Sequence, residues 1–80
     1  MKTVYLLESI SYPKKRYIGI TTHLEQRLAE HNAGKSPYTS SFKPWKCVVA
    51  INFENSAKAE AFEKYLKQGT GHAFARRHFW

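Results

Sequence analysis

Five polar side chains in this sequence, Tyr5, Tyr17, Arg27, His31 and Glu63, are of the types that phosphodiester hydrolysis requires. That reaction needs a base or shielded water to attack phosphorus, positive charge for the developing oxyanion, and help for the leaving oxygen. A phenol titrates near pH ~10, too high for a base in water, but a neighbouring cation favours its ionised form. The Arg27 guanidinium can meet phosphate oxygens as a planar fork, and His31, one helical turn on, can pass a proton or polarise a water. Glu63 is the candidate metal ligand because it stands at the border of an apolar helical face. A single carboxylate leaves most positions around a magnesium ion to water and phosphate. Each residue also has an ordinary structural alternative. The tyrosines can be half-buried strand aromatics, Arg27 the partner of Glu25 or Glu30, His31 a surface residue, and Glu63 the i, i+4 partner of Lys67. Glu25 and Glu60 are expected on outward faces. The sequence offers no His/Cys set for zinc, no phosphate-cradling glycine loop and no Ser/His/Asp set.

The elements that must position these groups follow one another without repeat or linker. Thr3 to Leu7 and Arg16 to Ile20 are β-prone runs flanking Ser11-Tyr12-Pro13, which predicts an antiparallel hairpin bringing Tyr5 and Tyr17 near each other. Thr22 and Glu25 stand in capping-box spacing ahead of a helix that Gly34 stops. Leu24 and Leu28 face the sheet from it, while His23, Arg27 and His31 form an adjacent stripe. Residues 35–46 have the composition of an exposed connection. Trp45 to Phe53 is apolar on both parities and is expected to be the central strand. Asn55 or Ser56 caps a second helix whose core face is Ala59, Phe62 and Leu66, with Glu63 at its edge; Gly69 and Gly71 end it. His72 to Trp80 completes the chain as a short third helix. The order ββαβαα predicts an α+β fold, a three-stranded antiparallel sheet flanked by helices, in one domain over 1–80.

Thirteen Lys and Arg against six Asp and Glu give a net charge of +7, which points to a polyanionic partner, nucleic acid first. Lys35, Lys43, Lys46, Lys67, Arg76 and Arg77 are candidate phosphate contacts, and Tyr38, Phe42 and Trp45 could stack on unpaired bases; for Trp45, packing under the loop is preferred. Cys47 lies in an apolar run and reads as a small buried hydrophobe. No stretch approaches the ~20 apolar residues of a membrane span, and the start has no long apolar region, so a cytoplasmic location is expected.

The order Val4-Tyr5-Leu6, Tyr17-Ile18-Gly19, Arg27, His31, Asn32, Gly34 and Glu63 resembles the GIY-YIG nuclease domain, from Val4 through about Phe74. In the first motif Val4 and Leu6 depart from the family's pattern and Tyr5 is the retained aromatic. The resemblance implies a three-stranded sheet and one-metal cleavage of DNA with magnesium or manganese at Glu63. Tyr5 and Tyr17 would orient or deprotonate the water, Arg27 would steady the phosphate, and His31 would occupy a proton-handling or hydrogen-bonding position. Gly19 would keep the end of the second strand open for close approach by the nucleic acid. Members of that family usually carry a separate DNA-recognition domain. Target choice within these residues is therefore expected to rest on the 35–46 loop and the basic tail, favouring branched, damaged or single-stranded forms. A monomer or weak homodimer is expected, with a partner protein as a candidate source of target recognition. The alternative from another class is a nucleic-acid-binding module of the same fold that no longer cuts. Such a binder has no need of Glu63, since a carboxylate near phosphate repels unless a cation lies between them.

Overall fold

The computed structural model describes residues 1–80 and has the order β1 (Lys2–Ser9), β2 (Arg16–Thr21), α1 (Leu24–Asn32), α2 (Pro37–Ser40), β3 (Trp45–Phe53), α3 (Ser56–Leu66) and α4 (Gly69–His78). The three strands form one antiparallel sheet in the order β2-β1-β3. The expected α+β architecture is thus present, with helices on both faces of the sheet.

The central strand is β1, not β3 as the sequence pattern suggested. Val4 to Leu7 is buried without interruption, whereas β3 alternates between half-buried and exposed residues beyond Trp45. A register shift carries the inward residues of β3 from one layer to the other. Leu6 pairs with Val49 but Leu7 pairs with Cys47, so Val48 is an extra residue on β3. Such a bulge changes which side chains face which layer. Trp45 and Cys47 therefore pack with Tyr5 and Leu7 on one face, while Val49 and Phe53 pack with Val4 and Leu6 on the other. The strand reads as apolar on both parities because Val48 and Ala50, on the outward parity, are apolar yet exposed. Cys47 is half-buried, and burial pushes its thiol upward, away from reactivity.

The two faces have separate cores. Ala59, Leu66 and Phe62 of α3 and Ala75 of α4 cover Val4 and Leu6, as the helical spacing of α3 predicts. Leu24 and Leu28 of α1 pack against Tyr5, Leu7, Trp45 and Tyr17. Truncating a fully buried leucine such as Leu6 would cost about 2–5 kcal/mol. Asn55 caps α3 by accepting the Lys58 N–H at 3.0 Å. The capping box expected at Thr22 and Glu25 does not form. The N-cap of α1 is His23, whose N–H is taken by the Thr21 hydroxyl at 3.0 Å, while Thr22 Oγ1 turns to His23 Nδ1 at 2.9 Å. At the other end Gly34 adopts φ +80, and the Gly34 and Lys35 N–H groups return to the carbonyls of His31 and Glu30, a full Schellman closure.

Two further expectations change. The 35–46 segment is not simply exposed, since it contains α2, with Thr39 fully buried and Trp45 almost so. Gly69 and Gly71 do not end α3, which closes at Leu66 with Lys67 as C-cap; they form the first turn of α4. A Cβ on Gly71 would strike the Tyr65 carbonyl, so this glycine lets α4 begin directly against the last turn of α3.

Candidate active site

The β1–β2 register sets Tyr5 opposite Gly19 and Leu7 opposite Tyr17, which puts both phenols on the face that α1 covers. Their ring centroids are 6.2 Å apart. A Cβ on Gly19 would run into the Tyr5 phenol, so the bare backbone there makes room for Tyr5. Gly19 is itself buried, and the close approach it permits is that of a side chain and not of nucleic acid. From α1 the His31 ring enters between the tyrosines, 5.9 Å from Tyr5 and 4.9 Å from Tyr17, centroid to centroid.

His31 is not on the surface; it is fully buried and both of its nitrogens have partners. Nε2 lies 3.0 Å from Tyr5 Oη, and Nδ1 lies 2.8 Å from Thr39 Oγ1. Burial, with the Arg27 charge beside it, holds the imidazole below its usual range, so the ring is neutral near pH 7. Tyr5 is 1% exposed, and its phenol is pushed up to about 12, first by burial and then by Tyr17, against the opposing pull of Arg27. The Thr39 hydroxyl donates to the Ser36 carbonyl at 3.5 Å and so accepts from Nδ1–H, which leaves Nε2 of the neutral ring as an acceptor. Tyr5 therefore donates to Nε2, and His31 donates from Nδ1 to the Thr39 hydroxyl. The same residue's carbonyl accepts the Trp45 indole N–H at 2.8 Å. Thr39 thus ties α2 to the site, a link that the sequence did not single out. A buried hydroxyl in a short helix carries no spacing signal.

Tyr17 is the more accessible phenol. It is half-buried, and the exposed Tyr38 ring stacks on it at 6.2 Å and 28°. Arg27 stands on the flank of the group, half-buried, with Nη1 2.9 Å from Glu30 Oε1. The ordinary ion pair is thus realised with Glu30, whose carboxyl Arg27 holds below the usual range. The pair engages one end of the fork, and a guanidinium has five N–H donors. Arg27 is itself raised, first by Glu30 and also by Tyr5 and Tyr17, so its charge acts on both phenols. Asn32 anchors the end of α1 by clamping Trp45, accepting its N–H at 2.6 Å and donating to its carbonyl at 3.2 Å.

Glu63 comes from the other layer. It lies on α3, which packs on β1 and β2, and it makes no hydrogen bond or ion pair with the four residues above. Its side chain is 14% exposed, and its carboxylate is 2.5 Å from Lys67 Nζ. Lys67 lines a cleft of about 410 Å³ along the outer edge of β2, together with Arg16, Tyr17, Ile18, His72, Arg76 and Trp80. Tyr17 therefore borders both the phenol cluster and the cleft beside Glu63. A hard divalent cation fits the donor chemistry at Glu63. The carboxylate is largely shielded yet held by one flexible ammonium, and no group of three His, Cys, Asp or Glu converges anywhere in the chain. Water and phosphate would fill the other positions.

The remaining basic candidates scatter. Lys46 pairs with Glu8 at 3.6 Å, as does Arg16, and Lys43 reaches back over Gly34. Arg76 faces the β2 cleft, whereas Arg77 lines a depression with Tyr65 and Phe74 on another side of α4. Lys35 is exposed beyond the end of α1. Phe42 packs half-buried against Tyr12 and Tyr38, and Trp45 is buried, which leaves Tyr38 as the exposed aromatic of that segment.

Residues 1–76 match the GIY-YIG catalytic domain. The chain belongs to that family. It is also 44% identical over 52 residues to a UPF0213 protein of Lactococcus lactis subsp. cremoris, an alignment covering 64% of this chain and 53% of the relative. A UPF0213 protein of Clostridium perfringens is 37% identical over 71 residues, covering 88% and 74%. The structure-specific endonuclease subunit SLX1 of Debaryomyces hansenii is 37% identical over 82 residues, covering 94% of this chain and 22% of the relative. This GIY-YIG chain thus spans about half the length of the Lactococcus relative and about a fifth of the SLX1 subunit. No helix is long and apolar enough to cross a membrane.

Proposed function

We propose that this GIY-YIG chain is a metal-dependent endonuclease that hydrolyses DNA phosphodiester bonds, selecting branched or partly unpaired forms. The observation that carries the reading is the grouping of Tyr5, Tyr17 and His31, with Arg27 acting on both phenols, on one face of the β1–β2 hairpin, beside an edge cleft lined by Lys67, the ion-pair partner of Glu63. The similarity to an endonuclease subunit supports it.

The roles divide by exposure. Tyr17, the accessible phenol, faces the attacking water and takes its proton. Tyr5 donates to neutral His31 and so presents its oxygen lone pairs toward the Arg27 side, where it orients and does not ionise. Arg27 binds a non-bridging phosphate oxygen with the N–H groups that Glu30 leaves free, and it stabilises the charge that grows there. Glu63 would hold magnesium or manganese in place of its contact with Lys67, and the cation would supply Lewis-acid stabilisation to the phosphate and the leaving oxygen. Water attacks phosphorus as the bond to the leaving oxygen breaks; Tyr17, acting as phenolate, accepts the water's proton, and the leaving oxygen takes a proton from solvent, giving a phosphate end and a hydroxyl end.

The test is incubation with labelled single-stranded, duplex and branched DNA, with and without magnesium or manganese. Cleavage is expected in the presence of metal, strongest on branched DNA and abolished by chelator. Arg27→Ala is expected to cut about 100-fold or more slowly while keeping most binding. Cleavage that persists in chelator, or an Arg27→Ala protein as fast as wild type, would overturn the reading.

A further inference from the structure

The edge cleft contains features that the hydrolytic roles leave unused. Three of its lining side chains are cations: Arg76 makes no ion pair, whereas Arg16 lies 3.6 Å from Glu8 and Lys67 lies 2.5 Å from Glu63. Its larger flat ring is Trp80, half-buried, with the Arg16 guanidinium 4.9 Å from the ring centroid; the Tyr17 phenol lines the cleft as well. The guanidinium thus covers the indole, which is fixed by packing on the α3–α4 core, so an entering base takes the place of Arg16 and releases it toward the phosphate. The cleft volume of about 410 Å³ falls in the range of small-molecule sites. Its chemistry is divided: an aromatic wall suited to a base and a basic rim suited to a phosphate. An acidic peptide would satisfy the cations but leave the indole unused. A buried duplex base pair could not reach the ring at all.

We infer that this cleft seats one unpaired nucleotide, its base against Trp80 and its phosphate among Arg16, Arg76 and Lys67, directly beside the phosphate that Tyr17 faces. The inference rests on the proposed nuclease reading for its biological sense and deepens it. The enzyme recognises a junction by the single base that leaves the stack there, and Tyr17, which lines both sites, joins recognition to cutting. Base–aromatic stacking contributes enough to set such a preference without reading sequence.

The test is a binding titration in chelator, so that no strand is cut, using three oligonucleotide hairpins. One is blunt, one carries a single unpaired nucleotide, and one carries the same nucleotide without its base. The hairpin with the unpaired base is expected to bind about tenfold more tightly than the other two. It should also shield Trp80 from iodide quenching; Trp45, 2% exposed, contributes little to that signal. Trp80→Leu should erase the preference while leaving affinity for the blunt hairpin nearly unchanged. Equal affinity for the intact and base-free overhangs, or a full preference in Trp80→Leu, would overturn the inference. Should Trp80→Leu lose its helical circular dichroism, iodide protection in the wild-type protein decides: the unpaired base must shield the indole and the base-free hairpin must not. Failure here with metal-dependent cutting intact would sink this inference alone. A clear preference in a protein that never cuts would sink the nuclease reading instead.

Discussion

At the scale of single residues, the site is organised by unequal burial of groups that look alike in sequence. Tyr5 and Tyr17 are both strand tyrosines, yet one is sealed against His31 and the other opens to the cleft. His31 has a stability consequence. Its folded-state pKa is lowered, so between the ordinary histidine value near 6.5 and the lower folded value the unfolded chain binds more protons than the folded one. Stability is therefore complete above about pH 6.5 and is lost as the pH falls below it. Thermal melts from pH 7.5 to 5 should show a falling midpoint, and His31→Gln should flatten that slope even if its own midpoint is lower. A wild-type midpoint independent of pH over this range would contradict the burial assigned to His31. Tyr5, Tyr17, Arg27 and Glu63 could be named from residue type and order, but the burial that distinguishes their roles could not. It depends on α2, whose Thr39 reaches His31 from a segment that reads as loop.

At the scale of elements, local signals succeeded where one residue's conformation decides and failed where pairing decides. Gly34 after the apolar stripe of α1 and Asn55 before α3 mark helix ends by their own backbone and side-chain chemistry, and both ends fall there. The capping box at Thr22 failed because the helix starts one residue later, with His23 as N-cap, and the Thr22 hydroxyl is engaged with His23 Nδ1. The centre of the sheet was misplaced because Val48 and Ala50 are apolar but exposed, and which face of a strand is covered is invisible without the partner elements. The α1 terminus matters for function because His31 lies three residues before Gly34. Gly34→Ala places a Cβ at φ +80 and should cost about 1–2 kcal/mol. Chemical denaturation should report that loss, with an unchanged dependence on denaturant concentration; no loss would mean the turn re-forms another way.

At the scale of the molecule, a net charge of +7 is spread over both helical layers, but only part of it borders the site. Arg76 and Arg77 are neighbours in sequence that point to different surfaces. Arg76→Ala should lower the slope of log affinity against log salt by about 0.7–0.9, the value of one phosphate contact, whereas Arg77→Ala should leave it unchanged. Equal effects of the two would mean that α4 engages nucleic acid non-specifically. The larger architectural point is that the sheet edge at β2 is where its two faces meet. The phenols and guanidinium arrive from the α1 side, Glu63 from the α3 side, and Tyr17 borders the cleft between them.

That meeting is tested most directly by single-turnover cleavage of a branched DNA at saturating protein and saturating magnesium, comparing wild type with Glu63→Gln. The amide keeps the size of the side chain but removes the charge that would hold the cation. The rate should fall by about 100-fold or more while DNA affinity measured in chelator stays within a few-fold. A Glu63→Gln protein that cuts at the wild-type rate would show that the acid on α3 and the tyrosines on the hairpin do not act on the same phosphate.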